Sequence, residues 1–248
     1  MSEIIAGRNN VMAALQGERS LTKILVAKGI RGNLQSLLDQ AKERGCPVQF
    51  VPRAKLDDIS GGLNHQGIIA ETAAWRYWEL AELLASIDIK SNPVLLVLDG
   101  VEDPHNLGAL LRSGECAGIS GVVLPRRRSV QLTETVARVS MGAIESVPVA
   151  RVGNLAQTLE SLKKAGFWIA AADMSGQCYW QINWDFPVVL ILGGEGSGVS
   201  RLLKSKSDYI VSIPTRGRVD SLNVSVAGAV LFYEMLRQRG LGNGIPHS

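Results

Sequence analysis

The chain has 248 residues, 46% of them hydrophobic, and 26 Lys and Arg against 23 Asp and Glu give a formal net charge of +3. That is enough apolar material for one large core or two modest ones without disulfides or metals, and a charge so small leans towards a polyanionic partner without deciding for one. Three widely spaced cysteines, Cys46, Cys116 and Cys178, exclude a disulfide framework and a zinc ribbon, while MSEIIAGRNN lacks the basic run and apolar stretch of a signal peptide. No segment approaches the about 18 apolar residues of a membrane span, so a soluble cytoplasmic protein is expected.

In chain order, TKILVAK (Thr22 to Lys28) reads as a strand, NLQSLLDQAKERG (Asn33 to Gly45) as a helix closed by glycine, and VQFV (Val48 to Val51) and GIIAETA (Gly67 to Ala73) as further strands. These make a small α/β unit over residues 1–75. A short amphipathic helix in WRYWELAELLASIDIKSNP, ending on Ser91-Asn92-Pro93, reads as a connection over residues 76–92. From residue 93 on, VLLVLDG, GVVLP, FWIAAAD, VVLILGG and YIVSIP are nearly continuous apolar runs separated by helical patterns. Strands of that kind are buried on both faces of a mostly parallel sheet, whose ligands gather beyond the carboxyl ends of the strands. The fold class is α/β throughout.

Three of the loops at those ends are unusual. In LDGVEDPHNLGALLRSGECAG, Asp103 and Pro104 are a good N-cap and first-turn pair, which places Asn106 in the opening turn of a helix and Arg112 nearly two turns on. Their side chains point roughly 120° apart, so spacing alone does not make them converge, and a capped helix with a solvated Arg112 fits equally well. In LILGGEGSGVSRLL, four glycines around Glu195 let backbone approach a ligand, yet neither GxGxxG nor GK[ST] is present. A dinucleotide or triphosphate site is therefore disfavoured, and a plain glycine-rich turn stays open. In IPTRGRVDSLNVSVAGAVLFYE, Ser221 or Asp220 is placed to cap a helix whose small residues Ser225, Ala227, Gly228 and Ala229 permit close approach. SLNVSVAG is a poor helix opening, a choice that propensity alone leaves unexplained.

Together, DPHNLGALLRS, LGGEGSGVS and IPTRGRVDSLNVSVA resemble the three ordered motifs of the SpoU-type RNA ribose methyltransferases of the SPOUT superfamily. GRNNVMAAL and NHQGIIAE resemble the small ribosomal-protein-like substrate domain of the branch that methylates a guanosine ribose in large-subunit (23S) rRNA. The resemblance implies an RNA substrate-binding domain over 1–75 and a catalytic domain over 93–248 with a C-terminal trefoil knot, working as a homodimer. It implies S-adenosylmethionine as cofactor, held by Gly193, Gly194, Gly196, Ile213, Pro214 and Leu222. Asn106, Arg112, Glu195, Ser221 and Asn223 match the family's catalytic positions.

Methyl transfer is a matter of alignment, and no metal is expected, since His65, His105 and His247 are scattered. A guanidinium makes a poor general base, so Arg112 is read as a clamp on a phosphate and on the developing alkoxide, with Ser221 or a phosphate oxygen relaying the proton. Asn106, Asn223 and Glu195 would orient the ribose and the loops. Arg8, Arg31 and Arg53 are candidate phosphate grips in the first domain, and Arg126, Arg127 and Arg128 in the second, where a solvated turn reads equally well. Methylation at another rRNA or tRNA site, a non-catalytic RNA-binding factor and a Rossmann-type enzyme are the competing readings. The last is disfavoured because the glycine loop follows the next-to-last strand rather than the first.

Overall fold

The computed structural model describes residues 3–16, 21–30, 34–72, 75–217 and 221–240, and the chain divides into two compact units, Met1–Trp75 and Arg76–Ser248.

The first unit runs β1 (Glu3–Ala6), α1 (Arg8–Gln16), β2 (Leu21–Ala27), α2 (Gln35–Glu43), β3 (Val48–Val51), α3 (Arg53–Ser60) and β4 (Ile68–Thr72). Its four strands form one sheet in the order β1-β4-β2-β3, parallel only between β2 and β3. Alternation along β2 sends Ile24 and Val26 into one core with Val11, Leu37 and Ala41, and Leu25 and Ala27 into another with Val51 and Leu56. Sequence patterning did not assign β1, α1 or α3. β1 is only four residues long, and α3 follows Pro52 with two adjacent aspartates that blur its apolar stripe. His65 fixes the turn into β4. Its Nδ1 accepts from the Gly67 amide at 3.0 Å, which leaves Nε2 to donate to Asp57 at 2.8 Å.

The second unit begins inside the expected connection. Trp78 bridges Ala150 in parallel and its amide donates to the Val149 carbonyl, while Leu83 of α4 (Leu80–Ala85) is fully buried in the core. Residues 76–92 are thus built into this unit. There follow β5 (Val94–Asp99), α5 (Pro104–Cys116), β6 (Gly121–Pro125), α6 (Glu134–Ser140), α7 (Ala143–Ser146), β7 (Val149–Val152), α8 (Leu155–Lys164), β8 (Trp168–Cys178), β9 (Val188–Gly193), α9 (Arg201–Lys206), β10 (Tyr209–Ser212) and α10 (Val224–Gln238). All six strands are parallel, in the order β10-β8-β9-β5-β6-β7. Five were expected. The sixth, β7, is a four-residue edge strand with Arg151 in its middle, too short and polar to read as a buried run.

Chain order reverses between β5 and β9. From β5 the chain moves outward to β6 and β7, then returns on the other side through β8 and β9, so the loops after β5 and β9 meet at a topological switch point. β8 is longer than the apolar run that announced it. Its pairing with β10 jumps from Ala171 opposite Ile210 to Gln177 opposite Val211, which releases residues 172–176 from the ladder as a bulge.

Candidate active site

At the switch point the two loops touch. Gly194 donates its amide to the Asp99 carbonyl at 2.8 Å, and a Cβ added to Gly194 would stand 2.1 Å from the Gly100 oxygen. At Gly193 an added Cβ would stand 1.9 Å from the carbonyl carbon of Gly198. These two glycines are required by the protein's own backbone crossing, not only by a ligand. Gly196 and Gly198 turn the loop in left-handed conformation, at φ +82° and +62°. The Asp99 carboxylate then accepts from the Ser200 amide at 2.8 Å and fixes the chain as it enters α9.

The three unusual loops converge on one hydrogen-bonded hub. Asp103 caps α5 by accepting from the His105 amide at 2.8 Å, and Pro104 opens the first turn, which carries the buried Asn106. Asn106 Nδ2 donates to Glu195 Oε1 at 3.1 Å. Asn223 Nδ2 donates to Asn106 Oδ1 at 2.9 Å and to Glu195 Oε1 at 3.0 Å. One carboxylate oxygen and two carboxamides therefore join residues that are 89, 117 and 28 positions apart. Asn223 is also the N-cap of α10, its Oδ1 accepting from the Ser225 amide at 2.9 Å. That place was expected of Ser221 or Asp220; Ser221 stands two residues ahead of the cap, and Asp220 lies outside the described residues.

Next to the hub opens a cavity of about 470 Å³, ordinary for a small-molecule site. Gly193, Gly194, Gly196, Ile213 and Leu222 line it, as do Glu195, Ser221 and Asn223. Pro214 is exposed and does not line it. Asn106 reaches the site through its two hydrogen bonds, whereas Arg112 lies exposed further along α5 and, among the described residues, has no ion pair. Sequence reasoning missed the wall made by Ala172, Asp173 and Met174, whereas the lining helix positions Val224 and Ala227 fall in the SLNVSVAG stretch that it singles out. The first three sit on the β8 bulge, and the only available signal was that FWIAAAD ends on a charge at the carboxyl end of a strand.

Asp173 is held by three donors. Lys204 Nζ lies 2.7 Å from Oδ2, and the Ser175 hydroxyl and amide lie 2.6 and 3.1 Å from Oδ1. The Lys204 hydrogen bond first, and Ser175 after it, hold the carboxyl down at about 2. Among the described residues no group of His, Cys, Asp and Glu is placed to hold a metal ion. His65 belongs to the first unit, His105 is exposed, and His247 lies outside the described residues.

A parallel sheet with a cavity at its switch point, walled by glycines and apolar side chains and flanked by a polar hub anchored on the buried Asn106, defines an α/β cofactor-binding enzyme. Residues 93–233 match the model of the SpoU rRNA methylase family, and residues 4–78 match that of the RNA 2′-O ribose methyltransferase substrate-binding domain. The chain belongs to the SpoU family and is an S-adenosylmethionine-dependent RNA methyltransferase. It is 42% identical to YacO of Bacillus subtilis, designated a TrmH-family tRNA/rRNA methyltransferase, over 96% of each chain. Among solved structures, the S-adenosylmethionine-bound rRNA methyltransferase of Sinorhizobium meliloti superimposes with a TM-score of 0.65 at 26% identity, over 95% of this chain and 87% of that one. The TrmH/SpoU tRNA-modifying enzyme of A. aeolicus gives 0.56 at 27% identity, over 64% and 82%.

Proposed function

We propose that this chain transfers the methyl group of S-adenosylmethionine to the 2′-hydroxyl of a guanosine ribose in large-subunit rRNA. The observation that carries this reading is the hub of Asn106, Glu195 and Asn223 beside the glycine-walled cavity, with an exposed Arg112, which has no ion pair among the described residues, on the helix that carries Asn106. The cavity suits the cofactor: Leu192, Val211, Ile213 and Leu222 offer apolar walls for a purine, and the glycine loop offers close backbone. When bound, the cofactor supplies an electrophilic methyl on a sulfonium. Every other requirement falls on the chain.

The ribose oxygen has to sit in line behind that methyl, so positioning is the main task. In this reading the hub locks the three loops in one arrangement, and Arg112 clamps the neighbouring phosphate and stabilises the oxygen as it loses its proton. Ser221, on the cavity wall, or a phosphate oxygen relays that proton away. The first unit reads the RNA, with Arg53 exposed at the start of α3 and Arg8 partly exposed; Arg31 lies outside the described residues. The Arg126-Arg127-Arg128 loop reads it too. The Val130 amide ties this loop to the Val101 carbonyl in the loop before α5, Arg151 donates to the Arg126 carbonyl at 2.9 Å, and all three arginines are exposed. Homodimerisation and the trefoil knot belong to the same proposal. The dimer surface would be the outer face of α10, where Val226 and Tyr233, seven residues apart, are about half exposed. Of the small residues of this helix, Gly228 is buried against Leu110 and Leu192 and stands outside that surface.

Mapping 2′-O-methyl marks on total RNA from cells with and without the gene tests the reading. Loss of one guanosine mark in large-subunit rRNA is expected. Loss of a tRNA mark instead would move the target, and no lost mark would remove the proposal.

A further inference from the structure

Apart from Asp173 and Glu195, no charged residue lines the cavity among the described residues, and no Lys or Arg does. Glu195 is engaged in the hub. Asp173 is not: it stands on the β8 bulge, and its charge is balanced from behind by Lys204 of α9, which does not line the cavity. The Ser175 hydroxyl and amide hold the carboxylate in place independently of Lys204. Partial burial beside an apolar cavity pushes the half-buried Asp173 towards its neutral form, but these donors outweigh it and hold the carboxyl down at about 2.

We propose that Asp173 makes the cavity discriminate by charge between S-adenosylmethionine and the spent cofactor, and that Lys204 sets how strongly. The inference rests on the reading that this cavity is the cofactor site. Methyl transfer breaks the sulfur–methyl bond and forms an oxygen–methyl bond; the sulfur keeps the electron pair, so the sulfonium becomes a neutral thioether and the 2′-hydroxyl proton leaves. The ammonium and carboxylate of the methionine tail are the same before and after. Only the sulfur charge changes, and a fixed anion in the wall attracts the one form and not the other. Two unit charges about 10 Å apart in an effective dielectric near 20 attract by enough to change binding about tenfold. The consequence is weaker retention of the product after each turnover.

The sign of the charge separates this role from a plain salt bridge between β8 and α9. Titration calorimetry on the full-length protein would give the dissociation-constant ratio of S-adenosylhomocysteine to S-adenosylmethionine for wild type, Asp173→Asn and Lys204→Met. Asp173→Asn should lower that ratio by about tenfold, and Lys204→Met, which leaves the carboxylate unbalanced, should raise it several-fold. A shift in the same direction for both variants, or an unchanged ratio with both ligands equally weakened, overturns the proposal and leaves a structural tie. Should Asp173→Asn not fold, Lys204→Met decides alone, since a structural tie predicts no rise in the ratio. A wild type that binds neither ligand fails differently: it removes the cofactor reading itself, and the discrimination with it.

Discussion

Asn223 shows how much one side chain can settle. Its Oδ1 caps α10 while its Nδ2 donates to both Asn106 and Glu195, so Asn223→Asp keeps the cap but loses both donations and sets a carboxylate beside Glu195. We expect that variant to retain the helix by circular dichroism and to lose methyl transfer by at least about 100-fold, where a purely structural cap would leave the rate alone. Arg112 makes the opposite case. Exposed and unpaired among the described residues, it can be replaced with a stability change within about 0.5 kcal/mol. Arg112→Ala should therefore leave the melting temperature and cofactor affinity unchanged while kcat/KM for RNA falls about 100-fold or more. A matching loss of cofactor affinity would show the role to be misassigned. For Asp173 the sign of the pH dependence follows from its lowered carboxyl. The stabilisation is fully present above the ordinary value of 3.8 and is lost as pH falls towards about 2. Acid unfolding of Asp173→Asn should accordingly converge with wild type near pH 2 and separate from it, by on the order of 1–2 kcal/mol, above pH 4.

At the scale of elements, the glycine loop is constrained by backbone against backbone. Gly194→Ala drives a methyl group into the Gly100 carbonyl, whereas nothing lies within 4 Å of a Cβ at Gly196, whose substitution meets only the left-handed φ of +82°. We expect Gly194→Ala to lower stability by more than 3 kcal/mol and to abolish cofactor binding, and Gly196→Ala to cost about 1–2 kcal/mol. Equal effects in thermal melts would contradict this account. This crowding was not legible in the sequence, because LGGEGSG reads the same whether its glycines admit a ligand or another strand's loop. Legibility followed burial. The five long apolar runs announced their strands, and Asp103-Pro104 announced the start of α5, because each depends on near neighbours in the chain. The edge strand β7 and the bulge of β8 did not show: the one is four residues around an arginine, the other is set by a register jump against β10. The hub residues were singled out by resemblance. That Asn106 and Asn223 bond each other across 117 positions is a property of the fold, and no spacing rule contains it.

The whole molecule poses the question of where one unit ends. Residues 1–75 carry nine Lys and Arg against seven Asp and Glu, a net of +2, so the first unit has little electrostatic pull and in our proposal reads RNA by shape as well as charge. From the sequence, a catalytic fragment would start near Ser91. The structure moves that start to Arg76, because Trp78 extends the sheet at the β7 edge, Leu83 fills the core against Gly121, and the Tyr77 hydroxyl accepts from the Leu132 amide at 2.7 Å. Removing Leu83 alone is comparable to a core Leu→Ala change, about 2–5 kcal/mol, before the loss of Trp78 is added. A fragment of residues 76–248 should therefore fold cooperatively, bind S-adenosylmethionine as the full chain does and, in the proposed assembly, dimerise. A fragment of residues 91–248 should melt at least 10 °C lower or fail to accumulate, a shift consistent with that loss in a domain of this size. The longer fragment should still methylate rRNA poorly at physiological salt. What RNA affinity it keeps should depend on the arginine loop, so replacing Arg126, Arg127 and Arg128 by alanine should flatten its log affinity against log salt by about 2. Near-native methylation by residues 76–248 at limiting RNA would show that the first unit is not the substrate reader, and an unchanged salt slope would return the three arginines to the role of a solvated turn.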